Sequence, residues 1–354
     1  MELSITKTTS PKQKPQDSTL AFGTEFTDHM YNMDYGQEKE WHNPRIVPYG
    51  PFSMDPSTMV LHYGQGIFEG LKAYRRADGG VQLFRPGANF DRFNRSADLL
   101  CIPRLDTDLA LEHLKELIRL EKDWVPGAPG TSLYIRPTII ATDPFLGVRA
   151  SFTYRYFVIL SPVGAYYPEG FNPVRIWVSQ NHVRAVRGGV GEAKTLGNYA
   201  ASLLAGQKAH EKGYTQVLWL DGVERRFIEE VGSMNIFFVI GGTLVTPALN
   251  GSILPGITRD SVLQLGKHWG VPVEERPVSI DEIFEASAAG SLEECFGSGT
   301  AAVISPVGEL RYGDRTITIG DNKVGPMARK LYDAITDIQY GRSEDPFGWI
   351  VPVD

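Results

Sequence analysis

Apolar and polar positions along the chain follow two periods. Residues 133–140 and 154–160 are β-branched, aromatic and partly alternating, and they predict the clearest strands of the first half. Shorter apolar runs at 81–84, 175–179, 216–220 and 236–240 predict further strands. Residues 88–100 predict a helix after the Arg85-Pro86-Gly87 turn. Asp106-Thr107-Asp108 starts a longer one through 125, with Leu111, Leu114 and Ile118 on one face. A helix over 199–212 stops at Gly213, and another follows residues 254–260 and ends near Trp269. An irregular, proline-bearing crossing at 166–173 marks the domain boundary.

This is an α/β pattern, and 354 residues suit about two domains. The expected division is a disordered tail at 1–19, a first domain at 20–167, a connecting loop at 168–174 and a second domain at 175–354. With 42% hydrophobic and 22% charged residues, the chain can bury a sizeable core. No apolar run approaches membrane-spanning length. A net charge of -7 and the lack of a Lys/Arg stripe argue against nucleic acid as a partner. Cys101 and Cys295 sit in no metal-ligand spacing and no H-E-x-x-H occurs, so neither a metal site nor a disulfide scaffold is expected. The first sixteen residues are polar and lack a secretory signal's apolar core, which reads as a frayed tail on a cytoplasmic protein.

The chemistry concentrates around Lys194. It lies among glycines and small residues, with Arg184 and Arg187 upstream and Tyr199 downstream. Lysine forms a Schiff base with an aldehyde only when its amine is neutral, and desolvation with neighbouring cations favours that state. A rival reading takes 188–195, G-x-x-x-x-A-K-T, as a variant of the phosphate-binding G-x-x-x-x-G-K-[ST] loop. Against it, residues 181–187 separate the expected strand from the first glycine, and Glu192 places negative charge beside the supposed cradle. Elsewhere, Arg136 inside an apolar strand needs an anionic partner, either a structural carboxylate or a substrate's. Taken alone, Arg92 is solvated or salt-bridged and Tyr63 is a core aromatic. The stretch 226–235 is a pocket wall or a plain turn. The glycine-entered helix after Leu254 offers amides to a phosphate, and 295–302 is a second Gly/Ser/Thr loop able to hold an anion.

Four blocks, G-G-V-G-E-A-K-T-L-G-N-Y at 188–199, E-V-G-S-M-N-I-F at 230–237, L-P-G-I-T-R at 254–259 and F-G-S-G-T-A-A at 296–302, occur in an order and spacing that resembles a known family. The family is the branched-chain amino acid aminotransferases of fold-type IV, and the resemblance runs from Phe22 to the C-terminus. It implies a small N-terminal α/β domain and a larger C-terminal domain with a barrel-like sheet flanked by helices. It also implies pyridoxal 5'-phosphate as cofactor, held by Lys194 as a Schiff base. Glu230 is then expected on the ring nitrogen and Tyr199 on the ring oxygen. Arg92, Ile257, Thr258 and Thr300 are expected on the phosphate, and Arg184 among the cofactor-binding residues. Phe22, Tyr63, Tyr134, Tyr166 and Ser233 would surround the substrate side chain, with Thr300 and Ala301 on the α-carboxylate and Arg136 with Tyr134 on glutamate's distal carboxylate. Val148 would cross a homodimer interface. Ala302 and Ser305 stand where animal relatives carry C-x-x-C, so no thiol switch is expected, and Ser233 stands where some relatives have threonine. The implied reaction passes the amino group of leucine, isoleucine or valine to 2-oxoglutarate by a ping-pong route. A D-amino acid aminotransferase or an aminodeoxychorismate lyase of the same fold, and the nucleotide-binding reading, stand as alternatives.

Overall fold

The structure, a computed structural model, describes residues 2–164 and 171–353. The chain divides into two compact units. Met1–Tyr166, Ala193–Leu196 and Asp337–Asp354 form the first, and Tyr167–Glu192 with Gly197–Thr336 the second.

The first unit is built on a nine-stranded sheet. From one edge its strands run Ser4–Ile5, Glu40–Pro48, His29–Gly36, Thr153–Val163, Ser132–Ala141, Leu71–Arg75, Val81–Phe84 and Ile350–Pro352, while Gly66–Phe68 pairs off this path with Ser132–Ala141. One face carries the core: Leu71, Ala73, Leu133, Ile135 and Leu160 pack with Phe93 and Ala97 of helix Pro86–Leu99 and with Leu114, Leu117 and Ile118 of helix Thr107–Leu120. Alternation along a strand therefore sends Lys72, Tyr134 and Ser161 to the other face. The second helix starts as expected, with Asp106 accepting the Leu109 N–H at 3.0 Å. It ends at Leu120, earlier than residue 125, where Glu121 meets the His29 Nδ1 and the chain tightens into a 3-10 turn at Lys122–Trp124.

Both chain ends differ from expectation. Residues 2–19 are docked on this unit. Ser4–Ile5 pairs in parallel with Glu40–Pro48, the Thr8 N–H donates to His29 Nε2 at 2.8 Å and the Lys12 N–H to Asp28 Oδ1 at 2.8 Å. Asp17 Oδ2 accepts the Gly127 and Ala128 amides at 2.9 and 2.8 Å. The polar residues that make this stretch read as frayed serve as its hydrogen-bonding groups. At the other end, Ile350–Pro352 pairs antiparallel with Val81–Phe84 and Val353 is buried, so the last residues belong to the first unit rather than to a second domain reaching 354.

In the second unit, strands Val174–Val178, Gln216–Leu220, Ile228–Val231, Met234–Ile240, Leu292–Gly299 and Val303–Tyr312 pair into a closed ring. Closure comes from the short antiparallel contact of Glu230 with Asn235 and of Val231 with Met234, and it leaves the ring no free edge. Helices Ile257–His268 and Ile280–Ala288 pack on Leu292–Gly299. The second of these, capped by Ser279 on the Glu282 N–H, was not anticipated from the sequence. No helix among the described residues is long and apolar enough to cross a membrane, and none of their His, Cys, Asp and Glu gather in a group able to hold a metal ion.

Candidate active site

Lys194 belongs to the first unit. Its N–H donates to Ser96 Oγ at 2.9 Å and its carbonyl accepts the Phe68 N–H at 3.0 Å, while Thr195 Oγ1 donates to the Gly66 carbonyl at 2.8 Å. The lysine segment is thus stitched along strand Gly66–Phe68, and its Nζ lies 5.0 Å from the Phe68 ring centroid. The next residue, Glu69, is buried and accepts Arg92 Nε and Nη2 at 2.7 and 2.8 Å and Asn89 Nδ2 at 2.8 Å. Burial pushes the Glu69 carboxyl up. Arg92 first, and the Lys194 ammonium after it, outweigh that and hold it below the usual carboxylate range. The amine therefore faces a fixed negative charge. Sequence reading passed over Glu69, although an acid flanked by Phe68 and Gly70 in an apolar stretch was the signal that could have found it.

The same unit gathers the expected substrate residues around Phe68. Arg136 Cζ lies 4.5 Å from that ring's centroid, and its Nη2 donates to the Tyr134 hydroxyl at 2.9 Å. The Phe22 ring meets Tyr134 edge-on at 5.0 Å. Arg136 is half-buried, its Nε has no partner, and no carboxylate among the described residues pairs with it. A guanidinium placed so is suited to an incoming carboxylate. Gly70 keeps this corner open, since a Cβ there would overlap the Tyr134 hydroxyl. Two expected residues stand apart: Tyr63 closes helix Met59–Tyr63 and is 41% exposed, and Val148 is 89% exposed. Tyr166 lies outside the described residues.

The second unit holds the expected cofactor residues other than Lys194 and Arg92. Glu230 is buried on Ile228–Val231, and its Oε1 accepts the Leu254 N–H at 2.7 Å and pairs with Arg184 Nη2 at 3.1 Å. Arg184 Nη2 also donates to the Gly191 carbonyl at 2.9 Å and to the Ser252 carbonyl. Arg184 thus pairs with Glu230 and ties two loops to it. The Asn235 Nδ2 donates to the Leu254 carbonyl at 2.9 Å, and a Cβ on Gly256 would overlap Asn235 Oδ1. Two residues beyond Leu254, helix Ile257–His268 begins at Gly256 with no side-chain cap. Its first-turn amides, those of Ile257 and Thr258, thus point from an uncapped helix start, which favours an anion. Thr300 and Ala301 form the hairpin turn between Leu292–Gly299 and Val303–Tyr312. Tyr199 is half-buried in the first turn of helix Leu196–Glu211, and Ser233 is exposed in the turn after Val231.

Each unit by itself carries groups of the kind pyridoxal phosphate needs: the first an amine, the second a buried carboxylate paired with a guanidinium and a helix start suited to a phosphate. The lysine stretch does not fit a nucleotide loop. Strand Val174–Val178 ends well ahead of Gly188, and the stretch between Gly188 and Thr195 is a run of turns.

The sequence pattern of amino-transferase class IV matches residues 66–310. The chain is 60% identical over 346 residues to branched-chain-amino-acid aminotransferase 2 of Bacillus subtilis (strain 168), covering 98% of this chain and 95% of that protein. It is 50% identical over 359 residues to the branched-chain-amino-acid aminotransferase of Mycolicibacterium smegmatis, covering 99% and 98%. Among solved structures, the Escherichia coli branched-chain amino acid aminotransferase superposes with a TM-score of 0.77 at 29% identity, over 92% of this chain and 99% of that one. The branched-chain amino acid aminotransferase of Thermobaculum terrenum in its PLP-form does so with a TM-score of 0.74 at 25% identity, over 94% and 100%.

Proposed function

The chain belongs to the class IV amino-transferases, among the branched-chain amino acid aminotransferases, and on that premise we propose that it passes the amino group of leucine, isoleucine or valine to 2-oxoglutarate. The products are the branched 2-oxo acid and glutamate. The cofactor is pyridoxal 5'-phosphate. When bound, it supplies an aldehyde to take up the amino group and an electron-withdrawing ring to stabilise charge at the substrate's Cα.

The residues act as follows. Lys194 anchors the cofactor and carries the proton to and from Cα. Glu69, held charged by Arg92, is the fixed acidic neighbour of that amine. Glu230 faces the ring nitrogen, and Arg184 with the Leu254 amide keeps its charge in place. Tyr199 donates to the ring oxygen, and the Ile257 and Thr258 amides, Arg92 and Thr300 take the phosphate. Thr300 and Ala301 orient the α-carboxylate. Phe22, Tyr63, Tyr134, Tyr166 and Ser233 suit an apolar side chain, while Arg136 with the Tyr134 hydroxyl receives the distal carboxylate of glutamate. The reading includes a homodimer in which Val148 reaches the second copy's substrate. Leu203 and Leu204, 70% and 53% exposed on one helix, support an apolar contact between copies. The unbridged thiols of Cys101 and Cys295 support a cytoplasmic setting.

The observation that carries this reading is the double role of Leu254. Its amide fixes Glu230 and its carbonyl is fixed by Asn235, two residues ahead of a helix without a side-chain cap, which supports reading Glu230 as the ring-nitrogen partner and the helix start as the phosphate cradle. The test is a visible absorption spectrum of the protein loaded with cofactor. Leucine should abolish the band and 2-oxoglutarate should restore it. A band indifferent to leucine would redirect the search to D-amino acids and lyase substrates, and no band at all would end the assignment of Lys194.

A further inference from the structure

On the face of the first unit's sheet turned away from its core, Tyr134 stands between two polar neighbours. Lys72 is its Cα partner on one adjacent strand and Ser161 on the other. Directly opposed side chains leave a sheet together, with Cβ atoms about 5 Å apart. Lys72, Tyr134 and Ser161 are 8%, 9% and 4% exposed, so this is a sealed polar row. Arg136, two positions along the Tyr134 strand on the same face, donates to the Tyr134 hydroxyl. Ser161 Oγ and Arg136 Nε are buried without a partner. An orphaned buried polar group costs about 1–3 kcal/mol, so two in one row beside two cationic side chains describe a receiver waiting for an anion. The row is also adjacent to the reacting amine, because Arg136 and Lys194 share the Phe68 ring, at 4.5 and 5.0 Å from its centroid.

We propose that Lys72 is a specificity-determining residue: together with Ser161 Oγ it receives the distal carboxylate of 2-oxoglutarate and glutamate beside Arg136. This rests on the aminotransferase reading and deepens it. Leucine, isoleucine and valine have no second carboxylate and do not engage the Lys72 charge. Burial lowers the Lys72 amine to about 8.

The experiment compares wild type with Lys72→Met, Lys72→Arg and Ser161→Ala as loaded holoenzymes. Each half-reaction is followed separately, and glutarate and 4-methylvalerate are titrated by calorimetry. Loss of one charge-assisted hydrogen bond should lower kcat/KM for 2-oxoglutarate, and weaken glutarate, by about 10- to 100-fold in Lys72→Met. Leucine turnover and 4-methylvalerate binding should stay within about threefold. Lys72→Arg should restore most of the dicarboxylate affinity, and Ser161→Ala should lose part of it. Equal losses for both ligand classes, or none, would overturn the role of Lys72. The titrations decide this even in an enzyme without turnover. Absence of amino transfer in wild type would count separately, against the aminotransferase reading.

Discussion

Glu69 and Lys72 stand three residues apart in one apolar run, and both carry charge into the interior. Glu69 is matched by Arg92 and Asn89, so removing its charge breaks a buried ion pair from one side. Breaking a buried pair from one side costs about 3–5 kcal/mol, and Glu69→Gln should lower stability in urea unfolding by that order. Lys72 behaves in the opposite sense. Its folded value of about 8 lies below the ordinary 10.5, so between those values the unfolded chain binds more protons and this residue's contribution to stability rises with pH. Lys72→Met should therefore be more stable than wild type at pH 7, and the gap should close as pH rises from about 8 towards 10.5, measured by urea melts at each pH. A gap independent of pH would mean that the lysine bears no burial cost. At this scale the sequence singled out Lys194 and Glu230 by the motifs around them and Arg136 by its apolar strand. It was silent on Glu69 and Lys72, whose partners are fixed by strand register and by a helix some twenty residues away.

Some helix starts and stops were legible because they are local, although the end at Leu120 and the whole of Ile280–Ala288 were not. Asp106 caps its helix and Gly213, at φ +79°, follows the end of Leu196–Glu211. The order of strands was not, since ring closure depends on a two-pair contact between neighbours that no periodicity reveals. The start of Ile257–His268 lies between these cases: its glycine was visible, but the reason for it was not. Gly256 has an ordinary backbone, at φ −69°, so a side chain there is barred by Asn235 alone. Gly256→Ala would push the Asn235 amide off the Leu254 carbonyl and shift the segment that fixes Glu230. Displacements of about 1 Å at such supports cost roughly 10- to 100-fold, so cofactor affinity should fall by that factor in an absorbance titration. The cofactor-free protein should melt within about 2 °C of wild type, since at most one partly exposed hydrogen bond is lost. Unchanged affinity would dissociate this helix start from the cofactor.

In the first unit, the two ends of the chain do one job. Ser4–Ile5 covers one edge of the sheet and Ile350–Pro352 the other. Bare edges invite pairing between molecules. Deletion of residues 2–8 should leave amino transfer within about twofold yet open the Glu40–Pro48 edge, seen as concentration-dependent light scattering. A deletion variant as monodisperse as wild type would remove that function from the arm. Neither closure was readable beforehand, because two- and three-residue strands carry no period. The C-terminal closure has a further consequence for a chain made on a ribosome. Every residue of the second unit is synthesised before Asp337, whereas the first unit lacks its last strand until Ile350–Pro352 emerges. The first unit is therefore completed only after the whole of the second has been made, and a nascent chain lacking Ile350–Pro352 would be damaged in the first unit's sheet.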